Sequence, residues 1–124
     1  MTSINSNINL FLGLQAQLRI FHWQTKGYAR HNAFGVTYDT LEDLIDTFVE
    51  EAMGKYGRFV LDDETNVIQL TNLKELKPEA MLDTVILALN QFSEQFEETD
   101  TNLLNVRDEM LGAINKLKYL LTLE

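Results

Sequence analysis

Apolar side chains recur every three or four residues in four segments of this chain, which is the spacing of one face of an α-helix. The first predicted helix covers about residues 7–26 and the second about residues 30–53. The third opens at Pro78, a residue favoured in a first helical turn, and continues through Phe96. The fourth follows a break at "ETDTN" and has these apolar residues in register: Leu103, Val106, Met110, Ile114 and Leu117. We therefore expect an all-α protein.

More than twenty residues, "GKYGRFVLDDETNVIQLTNLKELK", separate the second predicted helix from the third. A helix of about 24 residues spans about 36 Å, and this segment is long enough, when extended, to cover that distance. Because the other two connections are short, the sequence predicts a four-helix bundle with one long crossover between helices two and three. Within the crossover, "RFVL" and "VIQL" flank "DDETN" and predict a short hairpin, although two isolated strands are only marginally stable.

Composition excludes several classes of function. The chain is long enough for one buried core, so we expect a single domain over residues 1–124. No apolar run approaches the roughly 18 residues that span a bilayer, and no basic segment precedes the apolar part of "MTSINSNINLFLG", so neither a membrane partner nor a secretory signal is expected. The absence of cysteine excludes disulfides and thiolate metal sites and favours the cytoplasm. A net charge of −9 without a basic patch disfavours nucleic-acid binding and suits cations.

Both histidines lie in "FHWQTKGYARHNAF", nine positions apart, on either side of Gly27. In one continuous helix, nine steps of about 100° would place His22 and His31 on opposite faces. Lys26 followed by Gly27 is typical of the C-terminal end of a helix. We therefore expect the chain to turn back at this point and to bring the two imidazoles together.

Four acidic residues share one face of the second predicted helix, opposite its core face: Asp39, Asp43, Asp46 and Glu50. No lysine or arginine occurs in residues 31–53 to relieve their repulsion, so the face is either fully solvated or binds a cation. Along a straight helix His31 and Asp46 are about 22 Å apart, whereas metal ligands lie about 2 Å from the ion. A metal site that uses both ends must therefore be shared with a second chain, antiparallel across a two-fold axis.

The order and spacing of several residues resemble the signature of the Dps mini-ferritins, which reads histidine-tryptophan, glycine, histidine, tyrosine and then an aspartate four positions before a glutamate. In this chain the matching residues are His22, Trp23, Gly27, His31, Tyr38, Asp46 and Glu50. From the second histidine onward the match needs no gap. The likeness extends to "TDTNLLNVRDEML", which resembles the start of the last helix of that family, and it skips the crossover.

The resemblance implies a ferritin-like four-helix bundle that assembles as a hollow dodecamer and oxidises Fe(II) with peroxide or dioxygen. It implies catalytic iron ligands shared between two subunits, one or two irons per site: His22 and His31 from one subunit, Asp46 and Glu50 from its partner, and Asp43 as an outer ligand. Mixed imidazole and carboxylate ligation also suits iron better than calcium or a soft metal. By the same likeness Trp23 is a redox-active or packing residue near the iron, and Asp100 and Glu109 line an entry pore.

One departure from the family pattern defines the alternative function. Gly35 stands where the family has a further aspartate, so a ligand for a second iron is missing. The alternative is a non-catalytic ferritin-like oligomer, such as a virus-borne relative, whose degenerate metal site leaves assembly or partner binding as its role. In that case His22 is an interior, hydrogen-bonded histidine and His31 simply occupies the first turn of its helix. The sequence does not decide between a dodecamer, a dimer and another assembly.

Overall fold

The computed structural model describes residues 4–123, which form four α-helices and contain no strand. The helices are α1 (Asn5–Gln24), α2 (Tyr28–Tyr56), α3 (Pro78–Asn90) and α4 (Thr101–Leu120), and a short 3-10 helix, Gln91–Glu94, follows α3. The all-α prediction is confirmed. None of the helices within this range has both the length and the hydrophobicity that crossing a bilayer requires.

The core forms because α2 packs against both α1 and α4, and α3 packs against α4. Three phenylalanine rings, from α1, α2 and the 3-10 helix, meet at the centre. The ring centroid of Phe11 lies 5.3 Å from that of Phe48 and 5.9 Å from that of Phe92, with edge-on geometry in both pairs. The apolar stripes predicted for the four helices supply most of the buried side chains: Leu14, Leu18, Phe21, Leu41, Ile45, Ala52, Val85, Leu89, Leu103, Val106, Met110, Ile114 and Leu117. In the third helix the fully buried residue is Leu82, whereas the predicted Met81 is only partly buried.

The turn between α1 and α2 is short, as expected, but its glycine has a different role. α1 ends at Gln24, and α2 begins at Tyr28, so each helix boundary lies two residues before the predicted one. Gly27 has φ −83° and ψ 133°, an extended conformation that precedes α2 and that any residue adopts. The glycine that does need its freedom is Gly57, which ends α2 with φ +89°. The positive-φ conformation of Gly57 ends α2 after Tyr56, which is three residues beyond the predicted end.

The third helix is shorter than predicted, because α3 ends at Asn90 and does not continue to Phe96. The guanidinium of Arg107, on α4, explains how the break is tolerated. It donates hydrogen bonds to the backbone carbonyl of Leu89 at 2.9 Å and to the hydroxyl of Ser93 at 3.4 Å. These bonds satisfy polar groups at the end of α3 without a further α-helical turn.

The predicted hairpin between "RFVL" and "VIQL" is wrong, because residues 57–77 contain no strand. Amide side chains of α1 hydrogen-bond the backbone of this segment instead. Asn9 donates to the carbonyl of Val67 at 2.7 Å. The side chain of Gln17 donates to the carbonyl of Thr71 and accepts from its amide, both at 2.9 Å. The segment therefore follows α1, and α1 satisfies backbone groups that a strand partner would otherwise have paired.

Asp100 connects the end of α2 to the start of α4, and the prediction that it lines an entry pore is wrong. Only 1% of its surface is exposed, and its carboxylate accepts hydrogen bonds from the Lys55 ammonium, the Tyr56 hydroxyl and the backbone amide of Glu97. Burial alone would raise the pKa of Asp100, but the hydrogen bonds from Lys55 and Tyr56 outweigh it and lower that pKa. The carboxylate is therefore an internal ion-pair partner. Glu109 is exposed, and its pore role stays a prediction.

Replacing Asp100→Asn should lower the free energy of unfolding by about 2 kcal/mol at neutral pH, because it leaves Lys55 and Tyr56 without their charged acceptor. The wild-type advantage should be complete at pH values above the ordinary aspartate pKa of 3.8 and should shrink as the pH falls towards the lowered folded-state pKa. Urea denaturation across this pH range measures it. Asp83→Asn, which removes an exposed pair with Lys118, is the control and should change stability by less than about 0.5 kcal/mol. Equal losses in the two variants would contradict the prediction.

Candidate metal centre

The α1–α2 turn brings both histidines together, as the sequence predicts. His22 lies in the last turn of α1 and His31 in the first turns of α2, and three residues connect the helices. The two imidazole rings stack, with centroids 3.9 Å apart and planes inclined by 19°. Both side chains are half-buried. This arrangement puts two potential metal ligands side by side at one end of the hairpin.

Reciprocal hydrogen bonds fix the orientation of the two rings. Nδ1 of His22 lies 2.7 Å from the backbone carbonyl of His31, and Nδ1 of His31 lies 2.8 Å from the carbonyl of His22. A carbonyl oxygen only accepts, so each Nδ1 must carry a hydrogen and donate it. In the neutral rings both Nε2 atoms therefore keep their lone pairs. Metal-binding histidines commonly have this arrangement, in which a backbone acceptor on one ring nitrogen leaves the other for the ion.

Gly35 has a packing role that the sequence did not reveal. A Cβ at this position would lie 2.9 Å from Cε1 and 3.2 Å from Nδ1 of His22. Contacts this short would displace an imidazole that its bond to His31 holds in place. The position at which the Dps-like pattern has an aspartate is therefore occupied by the residue that makes room for the His22 ring.

An arginine that sequence reasoning missed lies beside the histidines. Arg19, His22, Gly35, Tyr38 and Asp39 line a cavity of about 200 Å³ between α1 and α2. The guanidinium carbon of Arg19 lies 3.8 Å from the ring centroid of Tyr38 and 5.7 Å from the ring centroid of Trp23. The cation–π contacts hold a positive charge next to His22. The only signal in the sequence was spacing, since Arg19 precedes His22 by three positions and Trp23 by four.

The predicted carboxylate ligands lie near the other end of α2. Asp46 and Glu50 are one helical turn apart and both are exposed. A hydrogen bond with Asp46, and secondly the negative charge of Asp46, raise the pKa of Glu50. A bound cation would offset the negative charge that these two carboxylates bring together. Asp43 is also exposed and lines, with Asp46, a separate groove between α1 and α2.

The structure does not bring the histidines and the carboxylates together within one chain. Fifteen residues of α2 separate His31 from Asp46, which corresponds to about 22 Å. Within residues 4–123, no group of three or more histidine, aspartate or glutamate side chains is placed to hold a metal ion. The two imidazoles at one end of α2 and the two carboxylates near the other are thus separate groups of potential ligands.

Comparison with known proteins places most of the chain in one family. The sequence model of a family described as "Family of unknown function (DUF5856)" matches residues 22–121, a range that contains both histidines and both carboxylates. The chain is also 29% identical over 117 residues to an Enterobacteria phage T4 protein described as "Uncharacterized 14.6 kDa protein in mobD-ri intergenic region". That alignment covers 94% of this chain and 86% of the phage protein. No solved structure matches the chain.

Substituting Gly35→Ala should displace the His22 ring and weaken its hydrogen bond to His31. Gly112→Ala, in the middle of α4, is the matched control because a Cβ there meets nothing within 4 Å. The control should gain up to about 1 kcal/mol from the better helix propensity of alanine, whereas Gly35→Ala should lose that gain to the clash. Urea denaturation gives the two stabilities, and NMR of the His22 Nδ1–H reports the bond. A similar gain in both variants, with an unchanged imidazole signal, would rule out this role for Gly35.

Proposed function

This chain belongs to the DUF5856 family, and from its geometry we propose that it is a Dps-like mini-ferritin that binds Fe(II) at sites shared by two subunits and oxidises it. The observation that carries the proposal is the reciprocal bonding of His22 and His31. These bonds use only the Nδ1 atoms, so they fix the planes of two stacked rings and leave each Nε2 available to a ligand. Pre-oriented imidazoles lower the cost of binding a metal.

The donor set fits iron only when two chains are combined. A two-fold axis across the outer surface of the α1–α2 hairpin would make α2 antiparallel to its copy, so that each pair of imidazoles faces a pair of carboxylates. His22 and His31 would come from one subunit, and Asp46 and Glu50, with Asp43 as an outer ligand, from the other. Imidazole nitrogen with carboxylate oxygen suits Fe(II), and the site would occur twice per dimer.

Each group has a definite task in the proposed reaction. The imidazoles bind Fe(II) as neutral ligands, and the carboxylates offset its charge. The carboxylates bind Fe(II) only when they are deprotonated, and Asp46 raises the pKa of Glu50, so binding should weaken at acidic pH. Each Fe(II) gives up one electron, and two of them reduce one hydrogen peroxide, with two protons, to two waters. The Fe(III) product is then sequestered in the interior of a closed assembly.

Two features support the finer fold assignment that goes with this function. The four helices and the long segment between α2 and α3, hydrogen-bonded along α1, support a ferritin-like bundle with one long crossover. The exposed apolar residues of that segment, Val60, Val67 and Leu70 among them, support its burial in a larger assembly, for which we propose the dodecamer. Light scattering coupled to size-exclusion chromatography measures the subunit number.

Mixing two inactive variants tests the shared site. Anaerobic protein is loaded with Fe(II), peroxide or oxygen is added, and Fe(III) formation is followed by absorbance. His22→Ala and Asp46→Ala should each be inactive, because each destroys both sites of a homodimer. Co-refolded in equal amounts, they should recover about a quarter of the wild-type rate, since half of the dimers then hold one intact site of two.

The control mixture combines His22→Ala with His31→Ala and should stay inactive, because both histidines of a site come from the same chain. Wild-type oxidation no faster than that of a His22→Ala, Asp46→Ala double variant would remove the enzymatic proposal. Recovery in neither mixture, with heterodimers verified by mass, would remove the shared site.

A second candidate is a non-catalytic ferritin-like oligomer that acts by assembly or partner binding. Arg19 favours it, because a guanidinium held beside His22 repels a cation there. The similarity to a phage T4 protein also agrees with a viral relative. If this candidate is correct, the protein forms the same assembly but oxidises Fe(II) no faster than buffer alone. The oxidation assay, made on protein whose subunit number has been measured, therefore distinguishes the two candidates.

A further inference from the structure

The outer surface of the α1–α2 hairpin carries an exposed tryptophan at one end and an open groove at the other. Trp23 is 65% exposed, although tryptophan is the largest apolar side chain. The groove has a volume of about 640 Å³ and an apolar floor that includes Leu12 and Val49. The carboxylates of Glu42, Asp43 and Asp46 form its acidic edge. Trp23 is too far from the groove of its own chain to enter it, because Leu12 lies about 16 Å away along α1.

Contacts in the core define which residues of α1 and α2 lie at the same level. Phe21 contacts Phe34, with ring centroids 5.7 Å apart, and Phe11 contacts Phe48, at 5.3 Å. Because the helices are antiparallel, Trp23 is level with about residue 32 of α2. Leu12 is correspondingly level with about residue 47, which is where the groove lies.

The two-fold axis of the proposed iron site fixes how two such surfaces meet. If His31 faces the Asp46–Glu50 pair of the other chain, the axis crosses α2 midway between them, near about residue 40. Residue 32 of one α2 then lies opposite about residue 47 of the other. Trp23 thus falls on the partner's groove, and Arg19, one helical turn earlier, falls on its acidic edge. The metal ligands alone define this two-fold operation, yet it also places Trp23 on the groove and Arg19 on its acidic edge.

We propose that Trp23 of each subunit inserts into the α1–α2 groove of the other and that Arg19 pairs with the acidic edge at Glu42. The proposal rests on the two-fold arrangement of the proposed function and adds the contact that holds the dimer. An aromatic residue entering an apolar groove with a charged rim is the usual composition of an interface hot spot. Arg19 also reduces the repulsion between two acidic helices near the axis. The occupant is therefore a second copy of this chain.

Fluorescence of the metal-free protein tests the insertion directly, because Trp23 is the only tryptophan of the chain. Its emission should be blue-shifted and protected from acrylamide in the dimer and should shift to the red on dilution. Trp23→Ser should raise the dimer dissociation constant about 30-fold, as for a hot-spot residue. Tyr119→Ser is the matched control, since Tyr119 is an equally exposed aromatic residue on α4, and it should leave dissociation unchanged.

Charge exchange tests the predicted partner of Arg19 without touching a proposed iron ligand. R19E and E42K should each weaken the dimer, and the double variant R19E/E42K should restore it, because opposite charges again face each other across the axis. Sedimentation equilibrium gives the three dissociation constants. The groove contact is overturned if R19E/E42K dissociates as readily as the single variants. It is also overturned if Trp23→Ser raises the dimer dissociation constant no more than Tyr119→Ser does.

The outcomes separate this inference from the iron chemistry. Oxidation of Fe(II) by a dimer whose Trp23 stays exposed overturns the groove contact and leaves the proposed function. A dimer that buries Trp23 without oxidising Fe(II) overturns the proposed function and leaves the groove contact. A protein that stays monomeric at millimolar concentration overturns both.

Discussion

The reciprocal hydrogen bonds between His22 and His31 are the interaction on which the rest of the site depends. Each imidazole donates to the backbone of the other helix, so the bonds tie α1 to α2 and set both ring orientations at once. One of the acceptors, the carbonyl of His22, belongs to the last turn of α1, where carbonyls lack a partner within the helix. The bond thus satisfies a partly buried carbonyl and orients an imidazole, and the His22 ring requires glycine at Gly35 for space.

Much of the fold could be predicted from the spacing of apolar residues, because each helix buries one face against the same core. The bounds could not, since they depend on interactions between distant parts of the chain. α3 stops at Asn90, and Arg107, from the next helix, satisfies its end. The "RFVL" segment stays out of a hairpin while Asn9 and Gln17 of α1 bind the backbone further along. Propensity and alternation describe a segment alone and carry no information about these partners.

The site was predictable to the extent that it depends on position along the chain. A break near Gly27 is enough to predict that His22 and His31 meet, and they do. The meaning of Gly35 was not accessible in this way. The sequence pattern presents Gly35 as a missing metal ligand. In the structure a side chain at this position would collide with the imidazole ring of His22. Arg19 was overlooked for a related reason, since its stacking on Tyr38 depends on how two helices pack.

Two aspartates that the Dps-like resemblance assigned to the path of iron show what decides the role of an acidic residue here. A lysine of the same chain reaches Asp100, so its charge is neutralised internally and the residue stabilises the fold. Asp46 has no lysine or arginine partner among the described residues, and it raises the pKa of Glu50, which therefore holds a proton more tightly. Identical side chains therefore differ in what they can still bind. An acidic helix face without its own counterions is stable when water, a cation or another chain supplies the missing positive charge. On α2 that face borders the groove that Glu42, Asp43 and Asp46 line, the surface on which we place the second copy.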